Sequence, residues 1–198
     1  AAITRMCFFL KKSPTHGTWA QAMSSMSRAT SRFEQQLDTA TTSAMGTLIR
    51  PVQDQTTAQI KAEIERALSG MDRTQYRSEV TVDEQGHGWA IINGTGLPEL
   101  AAGASQMGDV LVAAGLGERV VAAVFPFKWK DSTLGQDRLI YWIYQPRIRS
   151  FTPFAPDNPP AKRVRNTDLE VRMEGALRSI LPTTKQTTEW YPIWDMPF

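Results

Sequence analysis

The most informative pattern of apolar and polar positions runs from Arg138 to Pro156 and reads RLIYWIYQPRIRSFTPFAP. On an extended chain, residues 139–144 point alternately to two sides, and both sides are apolar or aromatic: Leu139, Tyr141 and Ile143 on one, Ile140, Trp142 and Tyr144 on the other. This is typical of an inner strand covered on both faces. Pro146 cannot donate a hydrogen bond in a sheet, so the strand has to bend or turn there. We therefore predict a bent strand or a tight hairpin at the centre of the fold.

Shorter patterns predict the remaining strands and helices of the domain. Strands are expected at Ala44–Arg50, Arg77–Asp83, Trp89–Asn93 and Val120–Phe127. Apolar residues spaced three and four apart predict helices whose inner faces carry Ile60, Ile64, Ala67 and Leu68, then Leu100, Ala104, Met107, Leu111 and Ala114, and finally Leu169, Met173, Ala176, Leu177 and Ile180. Thr56 with Gln59, and Thr167 with Glu170, have the spacing of capping boxes that begin two of these helices.

The N-terminal part, residues 1–43, is predicted to be an extension with one amphipathic, Met-rich helix. Its apolar stripe consists of Trp19, Met23, Met26, Thr30, Phe33 and Leu37. The stripe either packs on the domain or forms an exposed docking surface, since methionine adapts to varied partners. Residues 44–198 are predicted to form a single domain. Because its strands come in adjacent pairs, we expect an α+β fold, with a mainly antiparallel sheet of about five to six strands and helices packed against it.

Composition and rare residues restrict the chemistry. The chain is 41% hydrophobic and 21% charged, with a net charge of +2, which neither requires nor excludes a nucleic-acid partner, and we do not expect one. Cys7 is the only cysteine, and His16 and His87 are the only histidines, without the spacing of a zinc site. No metal or cofactor is therefore predicted. No apolar run approaches the roughly 18 residues that cross a bilayer, and we expect a cytoplasmic protein.

Two groups of residues are candidates for binding. A basic run, Arg147, Arg149, Lys162, Arg163 and Arg165, flanks aromatic side chains; it is either a solvated loop surface or a site for anionic lipid or single-stranded nucleic acid. The sequence EWYPIW near residue 198 places Trp190, Tyr191 and Trp194 close together. Three exposed aromatic residues would form a patch that drives association, so this segment either covers the domain's own sheet, which we favour, or contacts a partner.

Signals for catalysis are weak. His87 lies near Asp83 and Glu84, but in the turn of a predicted hairpin, where an exposed histidine is the simpler interpretation. Cys7 has no third group with which to build a nucleophile–base system. One enzymatic hypothesis stays open, in which Asp, Glu and Tyr residues surround a pocket lined by Trp142 and Tyr144.

The sequence YWIYQPRIRSFTPFAP, followed by a predicted helix and then by EWYPIW, resembles the PspAB family, the PspA-associated proteins of the phage-shock system. The stretch from His87 to Phe127, with its strand, helix and strand, resembles the middle of that family. The resemblance is best from His87 to Phe198.

The resemblance implies a small, non-enzymatic accessory protein of envelope-stress systems. It implies protein partners of two kinds, a PspA-like coiled coil and an HtpX-like membrane zinc protease, and peripheral contact with the cytoplasmic face of the membrane. No catalytic residues are carried over from the family.

Overall fold

The computed structural model describes residues 16–131, 135–157 and 163–198. Lys162 and Cys7 lie outside these residues. The described helices are α1 (His16–Arg28), α2 (Thr30–Leu37), α3 (Thr57–Leu68), α4 (Leu97–Ala113) and α5 (Thr167–Leu177), and short 3-10 helices occur at Gly117–Arg119 and Thr187–Glu189. The strands are β1 (Thr39–Thr41), β2 (Ala44–Ile49), β3 (Arg77–Val82), β4 (Gly88–Asn93), β5 (Val120–Asp131), β6 (Gln136–Gln145) and β7 (Ser150–Phe154).

All of these strands belong to one sheet, in the order β3-β4-β2-β5-β6-β7, with β1 paired to β5. Each of these pairings is antiparallel, which confirms the predicted α+β class. The sheet has seven strands rather than five to six, because the three residues of β1 continue the line of β2 along β5.

The stretch from Arg138 to Pro156 forms the hairpin β6–β7, and Pro146 stands in its turn. Strand β6 is covered on both faces as predicted: Trp142 and Tyr144 belong to the helix-side core, and Tyr141 and Ile143 to a second core on the opposite face. Leu139, nearer the start of the strand, is partly exposed.

The helix starts follow local hydrogen bonding. At α3, Thr56 and Gln59 form the predicted capping box, since each side chain accepts a hydrogen bond from the other residue's backbone N–H. At α5 the prediction is wrong: Asn166 is the capping residue, and its side chain accepts from the Leu169 N–H at 3.0 Å. Glu170, expected in the second capping box, is instead fully buried.

The Met-rich stripe lies in the core. Instead of one helix there are two, α1 and α2, separated at Ala29. Met23, Met26 and Phe33 are almost completely buried in the same core as the sheet and the other helices. The methionines therefore pack on this chain and do not form an exposed docking surface.

The opposite face of the sheet is covered by residues 190–198, which we call the aromatic strap. Ile193, Trp194, Met196 and Phe198 pack against the second core, which consists of Leu48, Trp89, Ile91, Ala122, Val124, Tyr141, Ile143 and Phe154. The predicted packing of this segment on the domain's own sheet is confirmed for these side chains.

Candidate functional site

An open cleft of about 600 Å³ lies on the strap side of the sheet, beside the beginning of the aromatic strap. The end of β2, the beginning of β5, the end of β6 and the β6–β7 turn surround it. Its lining residues are Arg50, Gly117, Glu118, Arg119, Val120, Val121, Ala122, Ile143, Gln145, Pro146, Arg147, Ile148, Glu189, Tyr191 and Ile193. We call this the strap cleft.

Local sequence features shape the strap cleft. Strand β2 ends at Ile49, and the next residue, Arg50, is tied to Arg119 by a backbone hydrogen bond of 2.9 Å from the Arg50 N–H. The register between β2 and β5 shifts at this point, which indicates a bulge in β5. Close to this bulge, Val121 is 40% exposed although its neighbours Ala122 and Ala123 are buried. The bulge therefore leaves an apolar side chain facing solvent at the cleft.

The three arginines of the strap cleft differ in whether their side chains already have hydrogen-bond partners. The Arg119 guanidinium is fully engaged, because it donates to the Arg50 carbonyl oxygen, to Gln55 Oε1 and to Glu63 Oε2, each at 2.8 Å. Arg50 and Arg147 are exposed, and among the residues that the structure describes their side chains have no hydrogen-bond or ion-pair partner. Arg50 and Arg147 therefore present two unpaired positive charges at the rim of the cleft. The charge of Arg119 is paired with Glu63 on α3.

Glu63 on α3 holds Arg119 in place. Burial alone would raise the pKa of the Glu63 carboxyl, but hydrogen bonds from Gln55 and Arg119 and the charges of Arg119 and Arg66 lower this pKa below its usual value. Glu63 is therefore ionised near neutral pH and balances the charge of Arg119. Of the positive charges that line the cleft, those of Arg50 and Arg147 are the two without such a partner among the described residues, and Glu118 and Glu189 supply the negative charges of the lining.

The basic run predicted from the sequence is divided in the structure. Arg147 and Arg149 are exposed in the β6–β7 turn, and Arg163 and Arg165 lie beyond the other end of β7. The five residues of β7 separate the two pairs by about 16 Å of extended chain. The structure therefore does not gather these four arginines into one cluster.

Arg165 is part of a buried network. Its guanidinium forms a bidentate pair with Glu170, with distances of 3.0 and 2.7 Å, and donates to the Trp190 carbonyl oxygen at 2.7 Å. Glu170 also accepts from the Ala155 N–H at 2.9 Å. The network joins β7, α5 and the strap, so Arg165 has a structural role. Arg163, by contrast, forms an exposed ion pair with Asp195.

The three candidate aromatic residues have different surroundings. Trp190 is buried, and its indole N–H donates to the Thr184 carbonyl oxygen at 2.9 Å. Trp194 is half-buried, with its ring edge against Phe154 at a centroid distance of 4.9 Å. Tyr191 is 64% exposed and lines the strap cleft. Of the three, only Tyr191 offers a large free surface.

Sequence reasoning missed Arg50, Arg119 and Val121 as candidate site residues. A local signal existed for Arg50. It directly follows a buried strand, and alternate residues of that strand, Gly46 and Leu48, face the strap, so Arg50 is expected on the same side. No local signal joins Arg50 to Arg119, which is 69 residues away along the chain.

The residues considered for catalysis lie in different parts of the described structure. Trp142 and Tyr144 are buried in the helix-side core and do not line the strap cleft. His87 Nδ1 lies 3.5 Å from Asp83 Oδ1 in the β3–β4 turn, where the same carboxylate also accepts from the Trp89 indole N–H. Within the described ranges, no three His, Cys, Asp or Glu residues are grouped so that they could hold a metal ion.

In the part of the chain that the structure covers, no helix is both long and apolar enough to cross a membrane. In a comparison with protein families, the model described as PspAB, PspA associated protein B, matches residues 7–198. No curated protein and no solved structure matches the chain.

Proposed function

The chain belongs to the PspAB family, and from this membership we propose that it is a non-enzymatic accessory protein that binds a PspA-type partner in a membrane-stress response. The observation that carries the proposal is the match of the family model to residues 7–198, nearly the whole chain. The description of that family names an association with PspA.

The surface of the protein supports a binding role. The strap cleft is open, and it combines arginines that have no side-chain partner among the described residues with exposed apolar side chains, of which Val121 and Tyr191 are the largest. Such mixed surfaces are typical of non-obligate protein contacts, where apolar residues are surrounded by polar ones. We propose that the contact is made at the cytoplasmic face of the membrane, and that an HtpX-type membrane protease is a second partner.

Binding of purified proteins tests this proposal. The full chain is titrated with the PspA-type protein of the same organism by isothermal calorimetry, and separately with detergent-solubilised HtpX-type protease. We expect saturable binding to the PspA-type protein. Vesicles containing phosphatidylglycerol serve as a parallel titration for direct lipid binding through Arg147 and Arg149. No heat with the PspA-type protein at micromolar concentrations, together with binding to vesicles alone, would contradict the proposal.

A further inference from the structure

We propose that the strap cleft is the docking site for an acidic segment of a protein partner, with carboxylates that pair with Arg50 and Arg147 and an apolar side chain between them. This inference rests on the proposed function in one respect, that the ligand is a protein. It adds the place of contact and the chemistry of the partner segment.

The positions of the two free charges set the spacing of the partner's carboxylates. Arg50 follows β2 and Arg147 follows β6, and β5 lies between these strands in the sheet. Since neighbouring strands are about 4.8 Å apart, two strand spacings place the backbones of these two residues about 10 Å apart across the sheet. Each guanidinium can form a bidentate pair with a carboxylate, which gives orientation as well as affinity.

The other charges of the strap cleft are already engaged. Arg119 is paired with Glu63, and the Glu189 carboxylate accepts from the Thr184 hydroxyl at 2.9 Å. Glu118 also has an interaction of its own. Arg50 and Arg147 are the lining arginines that have no side-chain partner within the described residues. A ligand that meets both must be anionic at two points.

The surface between the two arginines is apolar. Ala122 and Ile143 are already buried there, so the accessible apolar surface is provided mainly by the exposed side chains of Val121 and Tyr191. Covering them removes apolar area from water, which contributes to binding without requiring further charge. A segment with only charged residues would leave this surface uncovered.

A protein segment fits these observations better than a lipid surface does. A flat anionic membrane would draw on a continuous basic patch, whereas Arg163 is paired with Asp195 and Arg165 is bound to buried Glu170. The two free arginines flank a concave apolar surface. The geometry therefore suits a convex segment with two acidic residues.

The test compares charge reversals that leave the net charge matched. The variant Arg50→Glu/Arg147→Glu changes the cleft, and the control Arg28→Glu/Arg172→Glu changes two exposed helix arginines elsewhere. Two probes are titrated against both variants and the original protein: the PspA-type partner, and a synthetic helix with glutamates seven residues apart and leucines between them. That spacing places the carboxylates about 10 Å apart.

We expect the cleft variant to bind both probes about tenfold or more weakly, and the control variant to bind them as the original protein does. Tyr191→Ala should also weaken binding, without changing its dependence on salt, because it removes apolar contact and no charge. Circular dichroism confirms that each variant is folded. Should the double reversal not fold, Arg147→Ala in the exposed turn replaces it.

The outcomes show whether this inference fails, the proposed function fails, or both fail. Partner binding that the cleft variant retains in full overturns the inference and leaves the proposed function intact. Arginine-dependent binding of the synthetic helix, without any binding of the PspA-type partner, supports the inference and contradicts the proposed function. Binding of neither probe overturns both. Vesicles containing phosphatidylglycerol are titrated against the same variants, and if theirs is the only binding that the cleft variant loses, the cleft is a lipid site and the inference is overturned.

Discussion

Two arginines only two positions apart, Arg163 and Arg165, have opposite environments. The side chains of Arg163 and its partner Asp195 are 60% and 68% exposed, so water screens their attraction. Arg165 is 25% exposed, and its partner Glu170 only 1%. A carboxylate so deeply buried requires its charge partner, because the one hydrogen bond from the Ala155 N–H does not compensate for its lost hydration. The same residue type therefore contributes very differently to stability at the two positions.

We predict that Arg165→Ala destabilises the protein by about 3–5 kcal/mol, since it leaves Glu170 buried without its partner and frees the Trp190 carbonyl oxygen. The matched change Arg163→Ala should cost less than about 1 kcal/mol. Urea denaturation of both variants measures the difference. Equal losses of stability in the two variants would contradict the structural role of Arg165.

Tyr144 gives the stability a dependence on alkaline pH. Burial raises the pKa of the Tyr144 phenol to about 12, against a smaller opposing effect of the Arg149 charge. The unfolded chain has a tyrosine pKa of about 10, so between these values the unfolded state binds fewer protons than the folded one. The contribution of Tyr144 is complete below about pH 10 and is lost as the pH rises through about 12.

We therefore expect the free energy of unfolding to fall between about pH 10 and 12, and Tyr144→Phe to make this fall shallower. Denaturant titrations at several pH values measure both slopes. Tyr141→Phe is a useful comparison, because burial raises the pKa of Tyr141 as well. Identical slopes for the original protein and Tyr144→Phe would show that Tyr144 does not cause the dependence.

At the scale of elements, α1 is joined to α4 by a close fit between Trp19 and Gly108. The Trp19 indole N–H donates to the Ala104 carbonyl oxygen at 2.8 Å, and its ring meets Tyr144 edge-on at a centroid distance of 5.5 Å. A Cβ atom at Gly108 would lie 2.3 Å from Trp19 Nε1. The absence of a side chain at Gly108 is therefore what allows α1 to pack this closely.

We predict that Gly108→Ala destabilises the protein by about 1–3 kcal/mol, because the steric clash with a hydrogen-bonded indole exceeds the gain in helix propensity of about 1 kcal/mol. Gly175→Ala in α5 is the control: the nearest atom to its new Cβ would be the end of the flexible Arg178 side chain, at 3.2 Å. It should stabilise the protein slightly. Thermal unfolding of both variants checks the signs, and a stabilised Gly108→Ala variant would contradict the fit.

At the scale of the whole molecule, one sheet separates two apolar cores, and different kinds of structure cover its two faces. Helices cover one face, whereas the other face is covered by the aromatic strap, through Ile193, Trp194, Met196 and Phe198. Phe198 lies directly over Gly46 of β2, where an added Cβ would be 2.3 Å from its ring. The strap therefore occupies a space that the central strand leaves open for it.

Deletion of Glu189–Phe198 should lower the melting temperature and increase the binding of a hydrophobic dye, since the second core loses its cover. Gly46→Ala should have a smaller effect of the same sign, because it displaces Phe198. Gly175→Ala, where the nearest atom to the new Cβ is the end of the flexible Arg178 side chain, is again the control. A truncated protein with unchanged melting temperature and dye binding would refute the role of the strap.

Features that depend on neighbours in the chain were predictable. The alternation in β6 and the spacing of Ile60, Ile64 and Leu68 in α3 follow from the periods of strand and helix, which each segment expresses by itself. The hairpin at Pro146 likewise follows from its missing N–H. Strand β1 was missed because three residues are too few to establish a period, and pairing with β5 decides their conformation.

The amino-acid sequence by itself determined the α+β class, most of the elements and the family, because periodicity, turn residues and motifs can be recognised in residues that are close together along the chain. Only the tertiary structure decided the partners of the charged side chains and the surroundings of the strap. It paired Arg165 with buried Glu170, left Tyr191 exposed beside buried Trp190, and brought Arg50 to the same cleft as Arg147. These outcomes depend on what surrounds each side chain in the folded protein, because those surroundings set the energy of a charge or an aromatic ring.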